Sequence, residues 1–190
     1  CPPESGRNST QQANTTQDII QTSAKRQDKS DWMMERDEFR RLDEKYGPHT
    51  LDACCDSQGL NSQVKGSFCS VTNSFMQQNL TEGNVWLNPP FKRIGQFLRH
   101  YLRCKLISPK LRATIVVPAW EKPSWGPLLR NFQIVKEYPT GTQLFTRPGN
   151  QPGERVSVGP IPWPVQVLRD KGTLWSTYLA TILKLKTEGH

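Results

Sequence analysis

The sequence predicts an α/β domain, a three-layer Rossmann-like fold with a mainly parallel sheet. Short apolar runs alternate with amphipathic helical stretches, the pattern of strand–helix–strand units. Residues 113–118, Ala-Thr-Ile-Val-Val-Pro, are continuously apolar, as a central strand covered on both faces should be. Residues 85–87, Val-Trp-Leu, run straight into Asn88-Pro89-Pro90-Phe91, where two prolines fix φ and remove two backbone donors. That strand must therefore stop in a rigid turn, and folds of this class bind ligands at such strand ends.

The elements follow in order. Residues 1–29 are Ser, Thr, Gln, Asn and Pro with only Ile19-Ile20 apolar, and read as a disordered tail or linker. The domain is assigned to 30–190, with its core at 31–146. Ser30 or Asp31 suits a helix cap, and Trp32, Phe39, Leu42 and Tyr46 recur at helical spacing until Gly47-Pro48. Residues 49–55 read as a buried strand with Asp52 near its end, and 56–67 as a polar loop. Residues 68–75 are expected to hold a short strand. A helix is predicted at 94–106, with Ile94, Phe97, Leu98, Tyr101 and Leu102 on one face and Arg99, Arg103 and Lys105 off it. Pro109 stops it. After the strand at 113–118, Ser124 caps a short helix at 125–129, and strands are read at 132–138, 142–146 and 165–168. Residues 147–164 are a Pro/Gly-rich loop, and 173–186 are apolar enough for a terminal helix.

The chain of 190 residues suits one ordinary domain plus a tail. It begins with Cys1 rather than Met, so a piece of something longer is expected. No stretch is long and apolar enough to span a membrane, and no leader pattern is present. The five cysteines form no Cys-x-x-Cys pair and no histidine cluster accompanies them, so no metal is expected. A reducing, intracellular setting follows, nuclear or cytoplasmic. The sequons at Asn8, Asn14 and Asn79 are read as incidental. Charge is unevenly placed. Residues 91–130 carry nine basic side chains and one acidic, a net +8 that equals the net charge of the whole chain. This block begins directly after the Asn88 turn, where it would draw a polyanion, although a basic run is also what a solvated helix face looks like.

The turn itself presents an amide, a carbonyl that neighbouring N–H groups do not readily claim, and an aromatic face. The amide oxygen of Asn88 and the Pro89 carbonyl suit an exocyclic amine such as adenine N6, with Phe91 stacking on the base. The same four residues also suit a plain strand stop with Phe91 in the core. Asp52 closes an earlier strand. In an open α/β sheet it would share an edge with Asn88, where a carboxylate accepts from a cationic ligand or a ribose hydroxyl; a turn cap is the ordinary use of such an Asp.

The ordered set Trp32, Tyr46-Gly47-Pro48, Leu51-Asp52-Ala53-Cys54 and Trp86-Leu87-Asn88-Pro89-Pro90-Phe91, then an amphipathic helix and Val116-Val117-Pro118, resembles the phage-type Dam-like DNA N6-adenine methyltransferases. It also resembles their relatives in DIRS-type tyrosine-recombinase retrotransposons. Tyr46-Gly47-Pro48-His49-Thr50-Leu51-Asp52, Val116-Val117-Pro118-Ala119-Trp120 and Trp125-Gly126-Pro127-Leu128-Leu129 are more like that version. The resemblance implies a methyltransferase fold that transfers a methyl group from S-adenosylmethionine to DNA. Asn88, Pro89, Pro90 and Phe91 would form the catalytic turn, and Asp52, Leu51, Ala53 and Trp32 the cofactor pocket. Lys92, Arg93, Arg99, Arg103 and Lys122 would meet DNA or an RNA/DNA hybrid, and adjacent polyprotein domains would be partners. The chain departs from many methyltransferases in lacking a glycine-rich loop after Asp52, since Gly59 lies too far on, and it shows no separate target-recognition domain.

Two other readings stand beside this one. A catalytically silent domain would keep the fold and bind nucleic acid through residues 92–130, or serve as a structural part of a polyprotein. A basic structural protein would rest on charge alone. Cys54 and Cys55 read as small buried residues rather than nucleophiles. Trp120, Trp125 and Trp163 suit either base stacking or plugging of loops.

Overall fold

The computed structural model describes residues 32–56, 58–70, 73–130 and 132–170. The expected tail at 1–29 and the terminal helix at 173–186 lie outside the described residues. In chain order the elements are β1 (Met33–Met34), α1 (Arg36–Tyr46), β2 (Leu51–Asp52), β3 (Asn84–Leu87), α2 (Ile94–Ile107), β4 (Arg112–Pro118), β5 (Gln133–Tyr138), β6 (Phe145–Pro148), β7 (Arg155–Ser157) and β8 (Val165–Asp170).

These strands form two sheets. The larger runs β2-β3-β4-β8-β5, and the smaller β1-β6-β7. β2, β3 and β4 are mutually parallel, but β8 enters antiparallel to both β4 and β5. Both pairings of the smaller sheet are antiparallel. The expected helix-rich, three-layer Rossmann arrangement with a mainly parallel sheet is therefore corrected: among the described residues there are two α-helices, and the sheets are mixed or antiparallel. The reason is physical. Apolar periodicity reports which faces are covered, and 165–168 reads the same whichever way the strand runs. Residues 145–148 form a separate sheet with β1, which precedes α1, and with β7, which lies inside the stretch 147–164 read as a loop, a pairing that periodicity cannot register.

Several local boundaries shift for equally simple reasons. Glu35, not Ser30 or Asp31, caps α1, its carboxylate accepting from the N–H groups of Asp37 (2.9 Å) and Glu38 (3.1 Å). Trp32 thus precedes the helix instead of belonging to it. Gly47 ends α1, because a Cβ there would collide with the carbonyl and carboxylate of Asp43. Among the described residues of 68–75 there is no strand; Phe68 makes a single bridge to Asp52, and Phe75–Gln77 is a 3-10 turn. Gly126–Leu129 is likewise a 3-10 turn.

Two apolar clusters cover the two faces of the larger sheet. On one, α2 lays Phe97, Leu98, Tyr101 and Leu102 against Val85, Leu87, Ile115 and Val117. On the other, Leu42 of α1 and Met34 and Phe145 of the small sheet close over Trp86, Val116, Val165 and Val167. Large side chains here are fully buried, Trp86 at 1% and Tyr101 at 0% exposure among them. Each such burial contributes roughly 1.5–3 kcal/mol.

Several buried polar groups are paired across the larger sheet. Lys105 donates to the carbonyl of Leu111 (2.5 Å) and pairs with Asp170 at 2.9 Å, and Tyr101 donates to the same carboxylate at 2.5 Å. At the edge of the sheet opposite Asn88, His49 joins Asp43 (2.5 Å) to Thr114 (2.8 Å), and Arg169 donates to Thr114 (3.0 Å) and to Asn84 (2.7 Å). Asn84 in turn donates to the carbonyls of Tyr46 and Pro48. This chain ties α1 to β3, β4 and β8. No helix among the described residues is long and apolar enough to cross a membrane.

Candidate active site

Asp52 pairs in register with Trp86, and the N–H of Ala53 donates to the Trp86 carbonyl at 3.0 Å. Asn88 follows the end of β3. The two candidate residues therefore sit on the carboxyl edge of neighbouring parallel strands, whose backbones lie about 4.8 Å apart. Cys54 bridges them. Its N–H donates to Asp52 Oδ1 at 3.2 Å, while the main-chain N–H of Asn88 points at its sulfur.

The Asn88 amide has a fixed sense. Its Nδ2 donates to the carbonyl of Trp32 at 3.2 Å, which turns Oδ1 the other way. Among the described residues nothing donates to Oδ1 or to the Pro89 carbonyl, whereas the Pro90 carbonyl accepts from Arg93 N–H at 2.8 Å. Pro90 holds φ at −54° and leads into the 3-10 turn Phe91–Arg93, ahead of α2. The turn thus carries two acceptors with no donor among the described residues, one on half-buried Asn88 and one on buried Pro89.

Phe91 is half-buried and meets Trp32 (5.8 Å, 87°), Trp163 (5.5 Å, 84°) and Trp120 (6.1 Å, 55°). Trp120 touches Trp163 at 5.4 Å and Trp125 at 6.2 Å. Trp125 is 7% exposed and buries against α2, whereas Trp120 is 36% exposed. Lys122, two residues beyond Trp120, adopts φ 47°, a left-handed conformation that costs a non-glycine residue about 1 kcal/mol or more.

Asp52 is 2% exposed. Burial pushes its carboxyl up to about 6, against the pull of the N–H groups of Gln63 and Cys54. Gln63 N–H donates to Oδ2 at 2.8 Å, and its side chain donates to the Met34 carbonyl at 2.7 Å. The loop after β2 is closed on itself by Asp56, whose carboxylate accepts from Gln58, Leu60 and Asn61. No ion pair among the described residues reaches Asp52. A buried carboxylate without a cation is costly, and a cationic ligand would relieve it. That is the respect in which this edge fits S-adenosylmethionine. Leu51 is half-buried and Ala53 buried beside it.

The thiols here are unreactive. Burial pushes Cys54 and Cys55 well up and Cys69 to about 11, with the Asp52 charge adding to each. No metal-binding cluster occurs among the described residues.

The basic block divides. Lys92 and Lys122 are exposed. Arg93 folds back, Nε donating to Gln96 at 3.0 Å with its guanidinium over Phe97. Arg99 and Arg103, with Gln96 and Met76, line a groove of about 410 Å³. Lys105 is corrected: it lies off the apolar stripe by spacing, yet it is 1% exposed and bound to Asp170.

Residues 21–119, just over half of the chain, match the family model described as DNA N-6-adenine-methyltransferase (Dam). The chain belongs to the Dam family. No curated protein matches it. The span matched to the Dam family holds Asp52, the Asn88 turn and α2, and leaves out Trp120, Lys122 and Trp163. This Dam domain is a DNA adenine methyltransferase domain by family. Spacing alone gave no sign that Gln63 would brace Asp52, or that the Trp32 carbonyl would orient Asn88. Both contacts cross between elements that only the fold brings together.

Proposed function

We propose that this chain transfers a methyl group from S-adenosylmethionine to adenine N6 of DNA at the Asn88 turn. The observation that carries the reading is the pair of acceptors without a donor among the described residues, Asn88 Oδ1 and the Pro89 carbonyl, beside a half-buried Phe91. The two acceptors would receive hydrogen bonds from the two N6 hydrogens and draw the nitrogen lone pair out of the ring, so that the amine is nucleophilic without a strong base and its surplus proton leaves to solvent after the transfer. Phe91 stacks on a base that has left its helix, because N6 inside a duplex cannot reach such a turn. When bound, S-adenosylmethionine supplies an electrophilic methyl group on sulfur. Asp52 would meet its positive charge, with Leu51, Ala53 and Trp32 around it, and the preformed edge would hold the reacting groups in line.

The basic side chains supply the rest. α2 starts at the turn and runs back along the sheet, so Arg99 and Arg103 lie about 8 and 14 Å along its axis from Ile94. A strand leaving the site down this helix would pass both, with Lys92, Arg93 and Lys122 near its start. A setting in a DIRS-type retroelement polyprotein is supported by the Val116–Trp120 and Tyr46–Asp52 motifs.

The test is direct. The full chain is incubated with S-adenosylmethionine and adenine-containing DNA, and the digested nucleosides are weighed by mass spectrometry. N6-methyldeoxyadenosine formed by the native chain and lost in Asn88→Ala is the expected result. A folded chain that binds S-adenosylmethionine and yields none would overturn the proposal.

A further inference from the structure

We propose that the exposed face of Trp120 is a stacking platform for the base next to the target, and that the preferred substrate is an unpaired DNA strand. The inference rests on the Asn88 turn being the target site. Trp120 is the most exposed tryptophan of the described residues, at 36%. Three rings clamp it: Phe91 at 55°, Trp163 at 77° and Trp125 at 49°. None lies parallel to it, so none is stacked face to face on it, and more than a third of its surface stays open to solvent. The indole is therefore held still without being buried, and little rotamer freedom remains to be lost when a base settles on it.

Its position matters as much as its exposure. The ring centroid lies 6.1 Å from that of Phe91, so a strand whose target base stacks on Phe91 brings the adjoining base to Trp120. Lys92 follows Phe91 and Lys122 follows Trp120 by two residues, both exposed, which brackets the two rings with positive charge for the connecting phosphates. Aromatic faces beside a basic track are the arrangement that binds single strands. A duplex suits it less: extruding one target base leaves its neighbour paired and still stacked on the far side, so that base is not free to swing onto Trp120.

Binding of a fluorescently labelled adenine-containing 12-mer is measured for the full chain, as a single strand and as a duplex, at one salt concentration. Trp120→Ala should bind the single strand about tenfold more weakly, as loss of one base–aromatic stack implies, and leave duplex binding unchanged. Trp120→Phe should stay within about threefold of the native chain. Trp120→Leu fills similar space without a π-face and stands in for Ala if that variant melts early; it should lose the same tenfold. Equal single-strand binding by Trp120→Leu, or an equal loss on both substrates, would overturn the inference, as would methylation of duplex adenine as fast as unpaired adenine. A chain that shows the Trp120-dependent preference yet never methylates would refute the enzyme reading, and with it the target-adjacent role, leaving Trp120 as a single-strand stacking site alone.

Discussion

The side chain of Asn88 donates to the main-chain carbonyl of Trp32 across 3.2 Å. The indole of Trp32 meanwhile stands edge-on to Phe91. One residue ahead of β1 thus sets both the amide that would take the target amine and the ring that would stack on the base. Trp32→Ala should lower kcat by roughly tenfold to 100-fold, the size expected when reacting groups lose their placement. Asn88→Ala should lower it about 100-fold or more by removing an acceptor outright. Trp32→Phe should recover much of the first loss and none is recoverable for the second, which steady-state kinetics on matched DNA would show.

Asp52 makes cofactor affinity pH-dependent. Its carboxyl, raised by burial to about 6, is ionised at neutral pH and protonated just below. S-adenosylmethionine should bind more weakly as pH falls through 6, and Asp52→Asn should bind weakly and without that dependence. Stability runs the opposite way. The folded value lies above the ordinary 3.8, so the folded chain holds the extra proton between them, and stability on this account falls as pH rises from about 4 to 6. Asp52→Asn should therefore gain most in melting temperature over the native chain above pH 6. Calorimetry of binding and of melting across pH 4–8 checks both directions.

Glu38 gives the reverse slope. Burial alone would raise its carboxyl, yet hydrogen bonds from Lys136, Tyr138 and Arg41 overcome that and hold it at about 2, below the ordinary 4.5. Its contribution is present above 4.5 and fades as pH falls toward 2. Because it ties α1 to β5, Glu38→Gln should lower stability by about 2–3 kcal/mol at pH 7. The difference from the native chain should shrink on acidification, as urea titrations at pH 7 and pH 3 would reveal.

The two kinds of basic residue on α2 should separate cleanly. Arg99→Ala with Arg103→Ala should weaken DNA binding and reduce the salt slope by between about one and two, with melting little changed. Lys105→Met should leave the salt slope alone and cost about 3–5 kcal/mol of stability, since it removes the cation from the buried Asp170 carboxylate. A Lys105→Met chain that melts normally but binds DNA poorly would contradict the assignment.

Much of the candidate site can be named from the chain because its chemistry is local. Asn88, Pro89, Pro90 and Phe91 are contiguous, and proline dictates the turn wherever it stands. Asp52 needed only a short strand ending in an acid. The fold was less legible. Strands at 113–118 and 132–138 announce themselves by composition, but the direction of 165–170 and its seat between β4 and β5 depend on partners far away in sequence, from Tyr138 opposite Val165 to Ala113 opposite Asp170. Lys105 was misread for a similar reason: a charged residue looks solvent-facing until Asp170 arrives from the far end of the chain.

That late arrival sets where the chain tolerates being cut. β8 pairs with β4 along six residues, Ala113 to Pro118, and the family match stops at 119. A fragment trimmed to the matched span would retain the Asn88 turn, yet Ile115, Val116 and Val117 would lie on an open strand with unmet N–H and C=O groups, the template on which other chains aggregate. The shortest self-sufficient unit therefore reaches at least Asp170, some fifty residues past the signature by which its family is recognised.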